Sequence, residues 1–331
     1  MTAPTSVPSS PVCIVGAGPC GLAAAIALGQ AGIPAIVFDR SCVVSSVAGY
    51  PTFMTFFSTA ERLEIGALPF AIAGDKPTRR DALAYYRAAV SHFALKVRQY
   101  EPVERVERAD GSFIVHSRPR GGDPVVTGAR ALVVATGYFG NPNLLGVPGE
   151  DLPHVTHLYH EGHEAFQRDA VVVGGANSAV EAALDLWRCG ARVTLVHFGS
   201  TFDHAIKPWV LPDFEGRVAD GAIKVLWNTR VTGIEAVQVH LAMPDGPRTI
   251  AAQHVYLMTG FTPHLGLLGS LGVPIDASTG VPAHDPATME TPVPGVFVAG
   301  VMTSGFDANK IFIENGRRHG DLIAHTLVVR G

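Results

Sequence analysis

The chain has 331 residues, more than one typical domain holds, and 47% of them are hydrophobic against 16% charged, so a sizeable core can form. A net charge of −4, with the basic residues dispersed, excludes a nucleic-acid-binding patch or a polybasic membrane surface. Cys13, Cys20, Cys42 and Cys189 show neither Cys-x-x-Cys nor zinc spacing and read as reduced thiols, which points to the cytoplasm.

Met1 to Ser10 is rich in Pro, Ser and Thr without a basic start, so a loose tail is expected there rather than a signal peptide. Next comes an apolar strand over Val12–Val15, the turn Gly16-x-Gly18-Pro19-Cys20-Gly21, and an alanine-rich helix. Strand, glycines and helix in that order form a dinucleotide-binding fingerprint. Gly16 permits the tight turn, Gly18 lets backbone approach a pyrophosphate, and Gly21 lets the helix pack on the sheet. A second strand, Ala35–Phe38, ends at Asp39, whose carboxylate can take ribose hydroxyls; Arg40 beside it is counted with the same site. The segment from Val12 to Phe38 is apolar enough to suggest a membrane span, but five glycines and two prolines interrupt it.

Thr78-x-x-Asp81 reads as a capping box opening a core helix with Leu83, Tyr86, Val90 and Phe93 on one face. Val97 to Val103 and Phe113 to His116 alternate like strands of a small antiparallel meander. Ala131–Ala135 is a buried strand ending in the turn Thr136-Gly137.

The opening device then repeats. Ala170–Val173 is a strand, Gly174-Gly175-Ala176-Asn177-Ser178-Ala179 a phosphate turn, Val180 to Cys189 a helix, and Arg192–Val196 the next strand, ending at His197. Two such units imply one nucleotide that stays and one that comes and goes. Val255–Met258 runs into Thr259-Gly260, repeating the Thr-Gly turn. Near the end, Val296–Ala299 runs into Gly300, and a helix is expected over Asn309 to Arg318, with its N-terminus near Lys310 and Ile311. The fold class is therefore α/β, with two Rossmann-like dinucleotide-binding domains. The first is discontinuous, residues 1–138 and 261–331, and the second, residues 139–260, is inserted into it. His154, His157, His160 and His163 are evenly spaced, but Pro153 and Gly162 argue against a regular helix and no zinc pattern accompanies them, so no metal is expected.

These residues resemble the thioredoxin-reductase-like two-domain flavoproteins. The match sharpens through Gly18-Pro19-Cys20-Gly21, Tyr50 to Thr59, Glu61 to Gly66, Asn177 to Leu184 and Ile311 to Arg317, which resemble the YpdA-type bacillithiol disulfide reductases. The resemblance implies FAD on Gly16, Gly18, Pro19, Cys20, Gly21, Asp39, Arg40, Tyr50, Met54, Thr136, Gly137, Gly300, Lys310 and Ile311. It implies NADPH, with NADH as the alternative, on Gly174, Gly175, Asn177, Ser178, His197, Lys207 and Gly260. It further implies a small-molecule disulfide as substrate and a homodimer or larger homo-oligomer.

Three departures stand out. No Cys-x-x-Cys occurs in the second domain, so the mechanism is not that of a thioredoxin reductase. The usual ribityl-binding Gly-Asp is Gly300-Val301 here, with Asp307 as a conceivable substitute. The arginine that NADPH enzymes of this class place beside the strand-end histidine is absent from His197-Phe198-Gly199-Ser200, leaving His197, Lys207 or Arg217 to meet a 2′-phosphate. Cys20 has two readings. At a helix N-terminus the dipole favours a thiolate that could attack a disulfide; alternatively it only packs against the turn. A ferredoxin- or flavodoxin-NADP reductase, needing no redox cysteine, is the rival function. A flavin monooxygenase fits less well because its Phe-x-Gly-x-x-x-His hinge is not met around Gly149.

Overall fold

The computed structural model describes residues 10–202 and 206–330; of the expected N-terminal tail only Ser10 falls within them. The chain folds as two compact units. One takes the segment up to Ala48 together with Thr55–Asn141 and the chain from Thr262 onward, and the other takes Gly49–Met54 and Pro142–Phe261.

The first unit begins with β1 (Val12–Val15), α1 (Pro19–Gln30) and β2 (Ala35–Phe38). After α2 (Ser45–Ala48) and α3 (Arg79–His92) come β3 (Val97–Arg98), β4 (Val103–Ala109), β5 (Ser112–Ser117), β6 (Val125–Ala129) and β7 (Ala131–Val134). The second unit contributes β8 (Val155–Thr156), β9 (Asp169–Val173), α4 (Asn177–Arg188), β10 (Arg192–Val196), α5 (Leu211–Ala219) and β11 (Ile223–Leu226). It closes with β12 (Arg230–Glu235), β13 (Gln238–Met243), β14 (Gly246–Ala251) and β15 (His254–Leu257). Back in the first unit are α6 (Gly266–Ser270), β16 (Val296–Val298), α7 (Ile313–Gly316) and α8 (His319–Val329).

Each unit is built on a five-stranded parallel sheet, β16-β7-β1-β2-β3 in the first and β11-β10-β9-β15-β8 in the second. β1 and β7 are buried at every position, as central parallel strands covered on both faces must be. Each unit also carries an antiparallel three-stranded sheet, β4-β5-β6 and β12-β13-β14. The meander expected from Val97 begins later than its alternation suggests, because Val97 and Arg98 pair parallel to Val37 and Phe38 as an edge of the main sheet.

The alanine content of α1 lets it lie close to its neighbours. A methyl group on Gly320 of α8 would sit 2.7 Å from the Ala24 Cα, so α1 and α8 touch backbone to backbone. The capping box is present: Thr78 Oγ1 accepts from the Asp81 amide at 3.2 Å, and the Asp81 carboxylate accepts from the Thr78 amide at 2.9 Å. The buried stripe of α3 is Ala82, Tyr85, Tyr86 and Ala89, with Leu83, Val90 and Phe93 only half covered. The helix expected over Asn309–Arg318 is shorter and later: α7 spans four residues and α8 begins at His319. Asn315 accounts for the break, since its side chain holds the Phe312 amide and the Lys310 carbonyl outside any helical ladder. No helix among the described residues is long and apolar enough to cross a membrane.

Candidate functional site

In the first unit, β1 ends at Gly16, whose φ of +112° is open to glycine alone. A methyl group there would lie 2.3 Å from the Ala135 carbonyl oxygen, and one on Gly21 would lie 2.0 Å from the Gly16 carbonyl oxygen. Gly18 differs: its backbone is extended (φ −72°, ψ 172°) and nothing lies within 4 Å of the methyl it lacks. The turn therefore closes on itself at Gly16 and Gly21 and opens outward at Gly18. The first helical bond of α1 runs from Leu22 to the Gly18 carbonyl, so the amides of Cys20 and Gly21 precede the ladder. No side chain caps that end and its first turn holds no acid, which leaves a cradle for a pyrophosphate. The Asp39 carboxylate accepts from the amides of Ala17 and Ser41, each at 2.8 Å, and so fastens the turn to the end of β2 where a ribose would lie. Arg40 spreads its guanidinium over Gly140.

Cys20, half-buried at the start of α1, has surroundings that favour the packing reading over a resting thiolate. Its sulfur packs against Gly300 and Gly316, so close that a methyl on Gly316 would come within 2.9 Å of it. Burial pushes the thiol up to about 12, which outweighs the helix dipole. Gly300 is held in turn by His319, whose Nδ1 accepts from the Gly300 amide at 3.1 Å. Burial, with a smaller effect from His284, lowers His319 to about 4. His319 carries no sequence signal, because its role depends on two segments meeting in space.

The remaining first-unit candidates divide. Thr136 and Gly137 stand at the end of β7, with Gly137 at φ +66°. Tyr50 and Met54 lie in Gly49–Met54, which groups with the second unit. Lys310 is exposed and pairs with Asp307 at 3.5 Å, and Ile311 is half-buried ahead of α7; neither begins a helix. The Asp307 carboxylate accepts from the Asn309 amide at 3.1 Å and is held low by it and by Lys310, so it is engaged within its own loop. Val301 opens a short 3-10 turn.

The second unit repeats the plan with different closure. Gly174 has φ +152°, and a methyl there would lie 2.5 Å from the Met258 carbonyl oxygen. Gly175 is closed by a side chain, since a methyl would lie 2.2 Å from Cε1 of His197. Ala176 is extended (φ −123°, ψ −176°), so alanine serves where the first turn has Gly18. The ladder of α4 starts with the amides of Ala179 and Val180 on the Ala176 carbonyl, leaving Asn177 and Ser178 ahead of it. This end too has no side-chain cap and no acid in its first turn. Gly260 (φ +81°) closes a loop on Asn143, whose amide donates to the Gly260 carbonyl and whose Nδ2 donates to the Thr259 carbonyl.

Each of the cations expected at the 2′-phosphate has protein contacts of its own. His197 is 1% exposed, with its ring beneath Gly175 and edge-on to Trp227, so it shapes the turn from inside. Lys207 pairs with Glu181, and its amide donates to Asn177 Oδ1 at 2.9 Å. Arg217 pairs with Asp213 and Asp220 and lies over Trp187. Arg230, which sequence reasoning passed over, is exposed with its Cζ 4.9 Å from the Phe198 ring centroid. Of the histidine run, His154 bonds the Glu235 carbonyl and His157 pairs with Glu150. Among the described residues no group of three or more His, Cys, Asp or Glu side chains could hold a metal.

Both turns thus fit a dinucleotide: uncapped helix starts free of acids, and glycines held where a side chain has no room. The profile of the pyridine nucleotide-disulphide oxidoreductase family matches residues 13–300. Bacilliredoxin reductase Bdr of Bacillus subtilis (strain 168) is 44% identical over 96% of this chain and 97% of its own length. The solved bacillithiol disulfide reductase Bdr (YpdA) from Bacillus cereus superposes with a TM-score of 0.94 at 44% identity, covering 98% of this chain and all of that one. The solved bacillithiol disulfide reductase Bdr (YpdA) from Staphylococcus aureus gives a TM-score of 0.91 at 38% identity, over 98% and 99% of the two chains. Spanning all but the ends of the sequence, these matches place the chain in the pyridine nucleotide-disulphide oxidoreductase family, the flavoenzymes that pair FAD with a nicotinamide nucleotide.

Proposed function

We propose that the chain is an NADPH-dependent bacillithiol disulfide reductase of the cytoplasm. The observation that carries this reading is the 44% identity, extending through both dinucleotide turns, to the solved bacillithiol disulfide reductase Bdr of Bacillus cereus. The net reaction takes a hydride from NADPH and one proton from solvent, breaks one S–S bond and yields two thiols. Bound FAD supplies the redox centre between the two substrates. The residues that would hold it are Gly16, Gly18 and Gly21, the free amides at the start of α1, and Asp39. The residues proposed for the nicotinamide nucleotide are Gly174, Gly175, Asn177, Ser178 and Gly260.

Cys20 is a proposed redox thiol only if its proton is lost during turnover, since at rest burial keeps it protonated. Iodoacetamide should therefore label Cys20 slowly in the resting holoprotein, at a rate that rises about tenfold per pH unit through pH 9. Rapid labelling at pH 7 would show that a standing thiolate exists after all.

The test of the function is anaerobic. NADPH should bleach the flavin of the purified holoprotein, and bacillithiol disulfide should restore it. If NADPH bleaches but only ferredoxin restores the flavin, the acceptor has been misassigned and the ferredoxin reductase reading takes its place. Absence of bleaching would remove both readings.

A further inference from the structure

We infer that Arg230, held over the ring of Phe198, is the cation that recognises the 2′-phosphate of NADPH. The inference rests on the second unit carrying the nicotinamide nucleotide. In such a unit the adenosine ribose lies beyond the end of the second strand, and an acid there selects the 2′-hydroxyl while a nearby arginine accepts the phosphate. Here that strand is β10, and the segment beyond it is His197-Phe198-Gly199-Ser200. It contains neither an acid nor an arginine. The charge has to arrive from elsewhere in the fold.

The backbone shows how it arrives. The His197 amide donates to the Leu226 carbonyl at 3.0 Å, Thr229 to His197 at 2.9 Å and Asn228 to Gly199 at 2.9 Å. This pairing extends β10 and β11 past their ends and sets residue 230, the first of β12, beside residue 198. The guanidinium then lies over the Phe198 face at 4.9 Å, within cation–π range, and the ring is itself 54% exposed. The aromatic face holds the guanidinium at an exposed position, where its fork suits bidentate capture of a phosphate.

Competing explanations for that arginine are weak. No carboxylate among the described residues pairs with Arg230, whereas Lys207 and Arg217 are both engaged by acids. His197 is buried beneath Gly175. A through-space arginine on an aromatic platform thus replaces the arginine that the loop lacks.

Calorimetric titration of the oxidised holoprotein with NADP⁺ and NAD⁺ tests this. The wild type should bind NADP⁺ more tightly, and Arg230→Gln should weaken NADP⁺ about tenfold while changing NAD⁺ by less than about twofold. Arg230→Lys should fall between, keeping the charge but losing the fork. Raising the salt from about 0.05 to about 0.3 M should narrow the wild-type preference more than that of Arg230→Gln, because the contact is exposed and screened. Arg230 is a surface residue, so an unchanged melting temperature confirms that the variant folds. Equal binding of NADP⁺ by wild type and Arg230→Gln would overturn the inference, as would a wild type indifferent to the 2′-phosphate. If NADPH still bleaches the flavin in either case, the proposed function survives that failure. Binding of neither nucleotide would remove the inference together with the nucleotide reading of Gly174–Ala179.

Discussion

The two glycine turns carry the same sequence logic and are closed by different atoms. In the first, Gly16 and Gly21 press against backbone carbonyls, and the strand end is fastened by a carboxylate, Asp39, that holds two amides. In the second, Gly174 presses against backbone, but Gly175 is closed by the imidazole of His197, and no acid stands at the strand end. A carbonyl in a parallel sheet cannot retreat, while a ring can turn. The first turn is thus closed by the less yielding atoms, and the second has a wall that can give. Each turn also leans on a histidine, half-buried in the first and buried in the second. His319 supports the first through the Gly300 amide, and His197 supports the second by filling the space under Gly175.

The largest expected effect comes from breaking the rigid frame. Gly21→Val would drive a branched side chain into the Gly16 carbonyl, 2.0 Å from where its Cβ must sit, and should abolish folded, flavin-loaded protein. Gly18→Ala separates frame from cofactor. Its backbone angles suit alanine and no protein atom lies within 4 Å, so the apoprotein should lose no more than about 0.5 kcal/mol. The new methyl would nonetheless occupy the approach of the pyrophosphate, and flavin content after purification should fall about tenfold. Full flavin occupancy in Gly18→Ala would show that the pyrophosphate lies elsewhere.

A smaller effect should appear through His319. Its folded value of about 4 lies below the ordinary 6.5, so below pH 6.5 the unfolded chain takes up a proton that the folded chain refuses. The contribution is complete above pH 6.5 and is lost as pH falls toward 4, up to roughly 3 kcal/mol in all. The geometry agrees, because Nδ1 must keep its lone pair to accept from Gly300. Urea midpoints measured between pH 7 and 4.5 should fall more steeply for the wild type than for His319→Gln. Parallel slopes would show that His319 is not the group that responds.

How much of this could be read from the sequence follows from the range over which each feature is decided. The turns, their helices and the Thr78–Asp81 box are set by residues within a few positions of one another, and positive φ at Gly16 and Gly174 leaves few alternatives to glycine. Cys20 could not be read that way. Its local signal, a helix start, favours a thiolate, but Gly300 and Gly316 from the far end of the chain pack against the sulfur, and burial raises the thiol. The same holds for the phosphate-reading cation: His197, Lys207 and Arg217 were the local choices, and long-range packing commits each of them, while Arg230 is delivered by strand pairing. The expected helix at Asn309 failed more locally, through the side-chain bonds of Asn315.

The finest test of the comparison is a double-mutant cycle on the movable wall. Gly175→Ala places a methyl 2.2 Å from Cε1 of His197, so the ring must shift or rotate, at a cost of about 1–3 kcal/mol. His197→Ala removes the ring and should be destabilising by itself, because it empties a buried site beside Trp227. With the ring gone, the methyl of Gly175→Ala enters vacated space, and the double variant should be more stable than the sum of the singles by at least about 1 kcal/mol. Neither change at Gly175 nor at His197 touches the backbone closure at Gly174, so the sheet should survive in all four proteins and urea unfolding should remain comparable across them. Additive losses would mean that Gly175 is closed by backbone after all. The two turns would then be closed alike, by backbone that cannot give.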